Sequence, residues 1–273
     1  MIPASFDYVR PGSLDEAVSA LSEHGDEAKL LAGGHSLLPL MKLRLATPSV
    51  LVDIGRLGEL SYVNDAGDHL AIGALTRHHD LHHDPVAMHH APLLSFVAGR
   101  IGDPQVRHRG TIGGSIAHAD PASDLPAAVL ALGGTLVARG PSGDREIPAD
   151  AFFQGFLESA LAPDEVLTEI RVPKATAGHA YQKFVRRAQD WAIVGSVVAR
   201  VDGRVGVALV NVGPTPVRAG AVETALAGGA SAAEAAELAA EGLEPPADNN
   251  ATPEFRRHLA RVLTARALAE AGL

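Results

Sequence analysis

The sequence predicts an α+β protein of two domains, the first divided into two subdomains. Three observations carry this. A strand, a glycine turn and a helix follow one another within residues 29–43. Residues 58–175 read mostly as strands and hairpins interrupted by helices, and residues 176–273 open on strands and then turn helical and alanine-rich. The expected domains are 1–175, with subdomains of about 1–57 and 58–175, and 176–273.

Taken in order, Ser13-Leu14-Asp15-Glu16 is a capping box opening a helix with Leu14, Ala17, Val18 and Leu21 on one face, ending near Gly25. A strand at 29–31 runs into Ala32-Gly33-Gly34-His35-Ser36, and Leu37, Leu38, Leu40, Met41 and Leu43 suit a short helix. Residues 50–54 read as a buried strand. In the second segment, strands are expected at 70–74, 135–139 and 166–172, and helices at 92–98 and 124–132, the latter with Asp124 as N-cap and Gly133 as stop. A boundary is expected at 173–178. Beyond it lie a strand at 181–185 and a hairpin, 196–201 and 204–212, turning on Asp202-Gly203. Thr252-Pro253 starts a final helix with Phe255, Leu259, Val262 and Leu263 inward.

Composition narrows the function. The chain of 273 residues is 47% hydrophobic, enough for a substantial core. Its net charge is −9 and its basic residues are scattered, so nucleic acid is not an expected partner. Cysteine is absent, which excludes disulfides, thiolate zinc and any iron–sulfur cluster held by this chain. No apolar run reaches membrane-spanning length and the first residues do not resemble a secretory signal, so the expected compartment is the cytoplasm and no integral membrane segment is expected. No G-x-S-x-G elbow or nucleophile with a positioned base is evident, and no catalytic residue is named.

Two glycine segments carry the chemistry. Consecutive glycines between a strand and a helix let several N–H groups converge on one concavity, a nest suited to phosphate. Ala32, Gly33, Gly34, His35 and Ser36 form one; Thr111, Ile112, Gly113, Gly114 and Ser115 repeat the pattern. Neither matches G-x-G-x-x-G or G-x-x-x-x-G-K-[ST], so nicotinamide binding by a doubly wound domain and nucleotide hydrolysis lack their main support.

AGGHSLLPLMKLR at 32–44 and DPQVRHRGTIGGSIAHADPASDLPAAVLAL at 103–132 resemble the FAD-binding medium subunits of molybdenum hydroxylases, such as those of carbon monoxide dehydrogenase and the flavin domain of xanthine dehydrogenase. The resemblance extends along essentially the whole chain. It implies a vanillyl-alcohol-oxidase-type FAD-binding domain of two α+β subdomains, followed by a domain of a three-stranded antiparallel sheet with helices. It implies FAD as cofactor, with both glycine segments on the pyrophosphate and Asp124 on the polar chain. It also places Leu161 and Lys183 at the flavin end and Trp191 near the ring. The implied partners are a molybdopterin-binding large subunit and an iron–sulfur small subunit, whose electrons pass through FAD to an external acceptor. Two departures are Ser115, where the family usually has Asn, and His35, where Gln or Thr is frequent; His108 also stands where Asn is commoner.

Simpler readings stand beside these. From pattern alone Asp124 is an ordinary N-cap, Lys183 a solvated strand residue and Trp191 a core residue. The histidines at 78, 79, 82, 83, 89 and 90 include i, i+4 pairs able to chelate a metal, but the segment reads as an exposed connection and no metal is expected. A free-standing FAD-dependent oxidoreductase with its own small substrate is the alternative function, and a scaffold that has lost FAD is a third.

Overall fold

The computed structural model describes residues 2–175 and 178–273. The first module contains β1 (Asp7–Val9), α1 (Leu14–His24), β2 (Ala28–Leu31), α2 (Leu37–Lys42) and β3 (Val50–Asp53). Its three strands form a parallel sheet in the order β1-β3-β2, so the central strand is the last in sequence. Ala17, Val18 and Leu21 of α1 bury against Val50 and Val52, as their spacing predicts. The start of α1 is a shifted capping box: Ser13 accepts from the Glu16 amide, while the Glu16 carboxylate takes the Gly12 amide rather than that of Ser13.

The second module begins with β4 (Val63–Asp65) and β5 (His69–Gly73). Six helices follow: α3 (His78–His83), α4 (Pro85–His90), α5 (Pro92–Arg100), α6 (Pro104–Arg109), α7 (Ile112–His118) and α8 (Asp124–Leu132). It ends with β6 (Thr135–Gly140), β7 (Gly143–Pro148), α9 (Ala149–Phe152), β8 (Phe153–Gly155), β9 (Glu158–Ser159) and β10 (Val166–Pro173). Its main sheet is antiparallel, β4-β5-β10-β6-β7, and apolar residues of α5, α7 and α8 cover it. One sequence expectation fails here. The histidine-rich stretch is not an exposed connection but α3 and α4, with His78 and Leu81 buried. A reciprocal pair of hydrogen bonds joins His82 to Ser95 on α5 and locks α3 in place. Among the described residues no three His, Asp or Glu side chains are arranged to share a metal ion.

In the last module, β11 (His179–Phe184), β12 (Val194–Val201), β13 (Arg204–Val210) and β14 (Val217–Arg218) pair antiparallel, followed by α10 (Gly220–Ala227), α11 (Ala232–Glu237) and α12 (Pro253–Glu270). The expected three-stranded sheet thus gains a two-residue edge strand. Asp202 and Gly203 both have positive φ, the tight hairpin turn their sequence predicts. The sheet is buried on both faces by the period-2 alternation of β12. Val197 and Ala199 join the core around α8, and Val194 and Val198 join the core under α12. The inward face of α12 includes Leu259 and Leu263, as predicted, but not Phe255 or Val262. Phe255 is exposed and Val262 half-buried, while Arg256 is buried, donating to the Ile193 and Asn211 carbonyls and pairing with Asp248 at 2.8 Å. Part of the expected boundary at 173–178, Thr176 and Ala177, lies outside the described residues. No helix among the described residues is long and apolar enough to cross a membrane.

Candidate functional site

The C-terminal end of β2 turns at residues 32–36 toward the helices of the second module, and a cavity of about 690 Å³ opens there, reaching to the end of β11. That volume lies within the usual range for small-molecule and cofactor sites, roughly 300–1,000 Å³. Thirteen of the fourteen residues singled out from the sequence line it: Ala32 to Ser36, Thr111, Gly113 to Ser115, Asp124, Leu161, Lys183 and Trp191. Ile112 does not. Its side chain is fully buried in the core, so its place in the motif is packing.

At the first segment, Gly34 adopts φ +77°, the left-handed region that β-carbon sterics deny most residues. Among the described residues, no protein group accepts from the amides of Gly33, Gly34, His35, Ser36 or Leu37. Ser36 sits at the N-cap of α2 but makes no side-chain cap, leaving its hydroxyl free. Five consecutive free amides are a concentrated set of donors, and they suit a phosphate group that needs several at once. Because α2 has only six residues, this nest, not a helix dipole, carries the positive potential.

The second segment is not a loop. It is the opening of α7, with Thr111 as N-cap accepting from the Gly114 amide at 3.1 Å. The Ile112 and Gly113 amides donate to the carbonyls of Thr76 and Ala74, and Ser115 donates to Thr111. Gly113 is required by close approach: a β-carbon there would lie 2.6 Å from the Ala74 carbonyl oxygen. Gly33 is fixed likewise, since a β-carbon would stand 2.9 Å from the Gly110 α-carbon just before the second segment. What this segment offers the cavity is the exposed Gly114 and the Ser115 and Thr111 hydroxyls.

A charged centre forms the wall near β11. Asp124 is not an N-cap; Ser123 holds that position and makes no side-chain cap. The Asp124 carboxylate instead accepts from the Lys183 ammonium at 2.8 Å and from the Tyr181 hydroxyl. Both Lys183 and Asp124 side chains are nearly fully buried, so Lys183 is not a solvated strand residue. Burial pushes the Asp124 carboxyl up, and the Lys183 charge opposes it. Leu161 is half-buried on the cavity wall and Trp191 is exposed at its rim rather than in the core.

Apolar walls, a run of free amides and a buried cation together suit an elongated ligand with a diphosphate and flat rings. FAD meets that description. Residues 4–175 match the model of the FAD binding domain in molybdopterin dehydrogenase, and residues 179–271 match that of the CO dehydrogenase flavoprotein C-terminal domain. The chain belongs to this flavoprotein family. Among its relatives, the carbon monoxide dehydrogenase medium chain of Hydrogenophaga pseudoflava is 43% identical over 98% of this chain and 97% of its own. Subunit alpha of the 6-hydroxypseudooxynicotine dehydrogenase complex of Paenarthrobacter nicotinovorans is 37% identical over 99% and 96%. A solved structure of carbon monoxide dehydrogenase from Hydrogenophaga pseudoflava, lacking the Mo-pyranopterin moiety of its cofactor, superposes with TM-score 0.96, at 44% identity over 100% of this chain and 99% of that one.

The departures from the flavoprotein pattern fall in different places. His35 and Ser115 line the cavity, whereas His108 does not; its ring stacks 3.9 Å from that of His79 and its carbonyl accepts from Arg77. Two residues on or behind the wall escaped the sequence reading. His78 lines the cavity under Gly110, with its Nδ1 buried and unpartnered, and burial holds its imidazole down to about 4. Tyr181, behind Asp124, is the other. A histidine among five others carried no distinguishing pattern, but Tyr181, two positions before Lys183 in a strand, shares its face by the period-2 rule and was legible in principle.

Proposed function

We propose that this chain is the flavin-bearing medium subunit of a molybdenum hydroxylase. In this role it takes electrons from iron–sulfur clusters on a small subunit, fed by a molybdopterin-binding large subunit, and delivers them to an external acceptor. The observation that carries the reading is the run of five free amides at residues 33–37 facing a cavity of about 690 Å³. Bound FAD supplies the redox chemistry, able to accept and release electrons. The chain's own residues bind and orient it. Ala32 to Ser36 hold the diphosphate, with Thr111, Gly114 and Ser115 closing over it from the second segment. Asp124 and Lys183 fix the polar chain and flavin end, and Leu161 and Trp191 pack on the rings. Gly113 and Ile112 support the site from behind, and no side chain need move a substrate proton.

Two features favour a subunit over a free-standing oxidoreductase. The chain has no cysteine, so the clusters must be ligated elsewhere. The two relatives named above belong to enzymes of unlike substrates, carbon monoxide and 6-hydroxypseudooxynicotine, on flavin chains alike along nearly their full length; substrate choice is then a property of another subunit. The cytoplasm, where cluster thiolates stay reduced, is the compartment of the same proposal. The test is affinity purification from the native cell, with the visible spectrum and the released flavin identified. A yellow protein yielding FAD and accompanied by cysteine-rich and molybdopterin-binding chains is expected. No flavin after reconstitution with excess FAD overturns the cofactor, and an active yellow monomer overturns the subunit role.

A further inference from the structure

The pair of Lys183 and Asp124 is the only ion pair among the described residues in which both side chains are less than a tenth exposed, at 4% and 6%. A buried pair is held only if its remaining hydrogen-bonding positions are satisfied, because desolvation otherwise exceeds the Coulombic gain. Here the third member is Tyr181. Tyr181 and Lys183 are two positions apart on β11 and so project from one face, and both reach Asp124: the hydroxyl donates to Oδ1, the ammonium to Oδ2. Lys183 also donates to the Arg100 carbonyl at 3.3 Å, which leaves one of its three N–H protons for the cavity.

The tyrosine ring has a seat of its own. Gly195 on β12 pairs with Lys183, and a β-carbon at 195 would lie 2.9 Å from Tyr181 Cε2 and 3.1 Å from its hydroxyl oxygen. Any larger residue at 195 moves the ring off Asp124. Burial pushes the Tyr181 phenol well up, so it stays protonated and can only donate to the carboxylate or accept. With Oδ1 held, the carboxylate cannot rotate, and Lys183 is fixed at one place on the wall.

We propose that Tyr181 is a positioning residue for FAD: it locks Asp124, and through it Lys183, at the flavin end of the cavity, and Gly195 provides the space its ring needs. The inference rests on the FAD reading above. Reduction adds negative charge to a flavin, and a preorganised ammonium favours the more negative form more than a mobile one does. Losing the hydroxyl therefore weakens binding and makes the bound flavin harder to reduce.

The experiment uses the full chain as wild type, Tyr181→Phe, Asp124→Asn and the double variant. Three quantities are read: the melting temperature without FAD, the FAD dissociation constant by fluorescence quenching, and the midpoint potential of the bound flavin. Tyr181→Phe is expected to weaken FAD about tenfold. The reduced form should lose about a further tenfold relative to the oxidised form, a fall of about 30 mV for a two-electron couple. Because Tyr181 acts through Asp124, the double variant should be no worse than Asp124→Asn alone. Gly195→Ala, which keeps the hydroxyl but displaces it, should move both quantities the same way and serves if Tyr181→Phe does not fold. Tyr62→Phe, which removes a hydroxyl bonded to Glu169 at 2.6 Å, should move neither. Unchanged affinity and potential in Tyr181→Phe, or losses that simply add to those of Asp124→Asn, overturn the proposal alone. A wild-type chain that takes up no FAD overturns it together with the cofactor reading.

Discussion

Gly33-Gly34 and Gly113-Gly114 stand at the rim of one cavity within similar flanking residues, yet their amides end in different places. The amides of Gly33 and Gly34, with the three that follow, find no protein acceptor, while Gly113 donates to Ala74 and Gly114 to its own N-cap, Thr111. The first pair follows a strand and leaves its amides without a protein partner at the cavity; the second starts a helix, and its amides are taken by Ala74, just after β5, and by Thr111. One pattern in sequence therefore serves a donor nest in one place and a tight backbone junction in the other. The lesson is that a glycine pair announces a close approach but not what is approached.

The largest expected effect lies beneath the second segment. His78 donates its amide to Gly110, and its imidazole, at about 4, stays neutral in the fold while the unfolded chain titrates near 6.5. A depressed histidine gives stability that is full above about pH 6.5 and lost as pH falls toward 4, a loss of about 3 kcal/mol over that window. Urea unfolding at pH 7 and pH 4.5 should show His78→Asn losing markedly less than wild type. Equal losses would show that His78 is not the acid-sensitive group at this junction.

Next in size is the contrast between Gly113→Ala and Gly34→Ala. The first drives a β-carbon into Ala74 and should cost about 1–3 kcal/mol of stability, read as a lower melting temperature in the chain without FAD. The second imposes left-handed backbone on alanine, costing about 1–2 kcal/mol, but its distinctive signature is a fall in FAD affinity beyond what the melting change explains. If the affinity losses of both variants merely track their stabilities, the functional division between the segments is wrong.

The smallest effects sharpen the same division. Thr111→Val removes the cap of α7 and should cost about 1 kcal/mol. Ser36→Ala removes no cap and should leave stability within about 0.5 kcal/mol while still weakening FAD. A Ser36→Ala protein with unchanged FAD affinity would show that its hydroxyl does not reach the cofactor.

Much of the fold was legible because it rests on local rules. The hairpin at Asp202-Gly203 needs positive φ at both residues, and the helix at 124–132 runs from its predicted start to Gly133. Apart from α5, the short helices between 78 and 118 were less legible, since six or seven residues rich in histidine, proline or glycine carry little periodicity. The inward face of α12 was legible at Leu259 and Leu263 but not at its first turn, where Arg256 is buried in place of Phe255, and only the Ile193, Asn211 and Asp248 partners make that burial tolerable.

By itself the sequence determined the family, the succession of strands and helices, the absence of thiolate chemistry and the two places where backbone must come close to something. Only the tertiary structure decided which of those approaches leaves its amides free at the cavity, that Asp124 turns from its own helix to Lys183 and Tyr181, and that Trp191 stands exposed at the rim. The reason is physical. Turn and capping preferences are set within a few residues, whereas the satisfaction of a buried amide or carboxylate depends on whichever distant group the fold delivers to it.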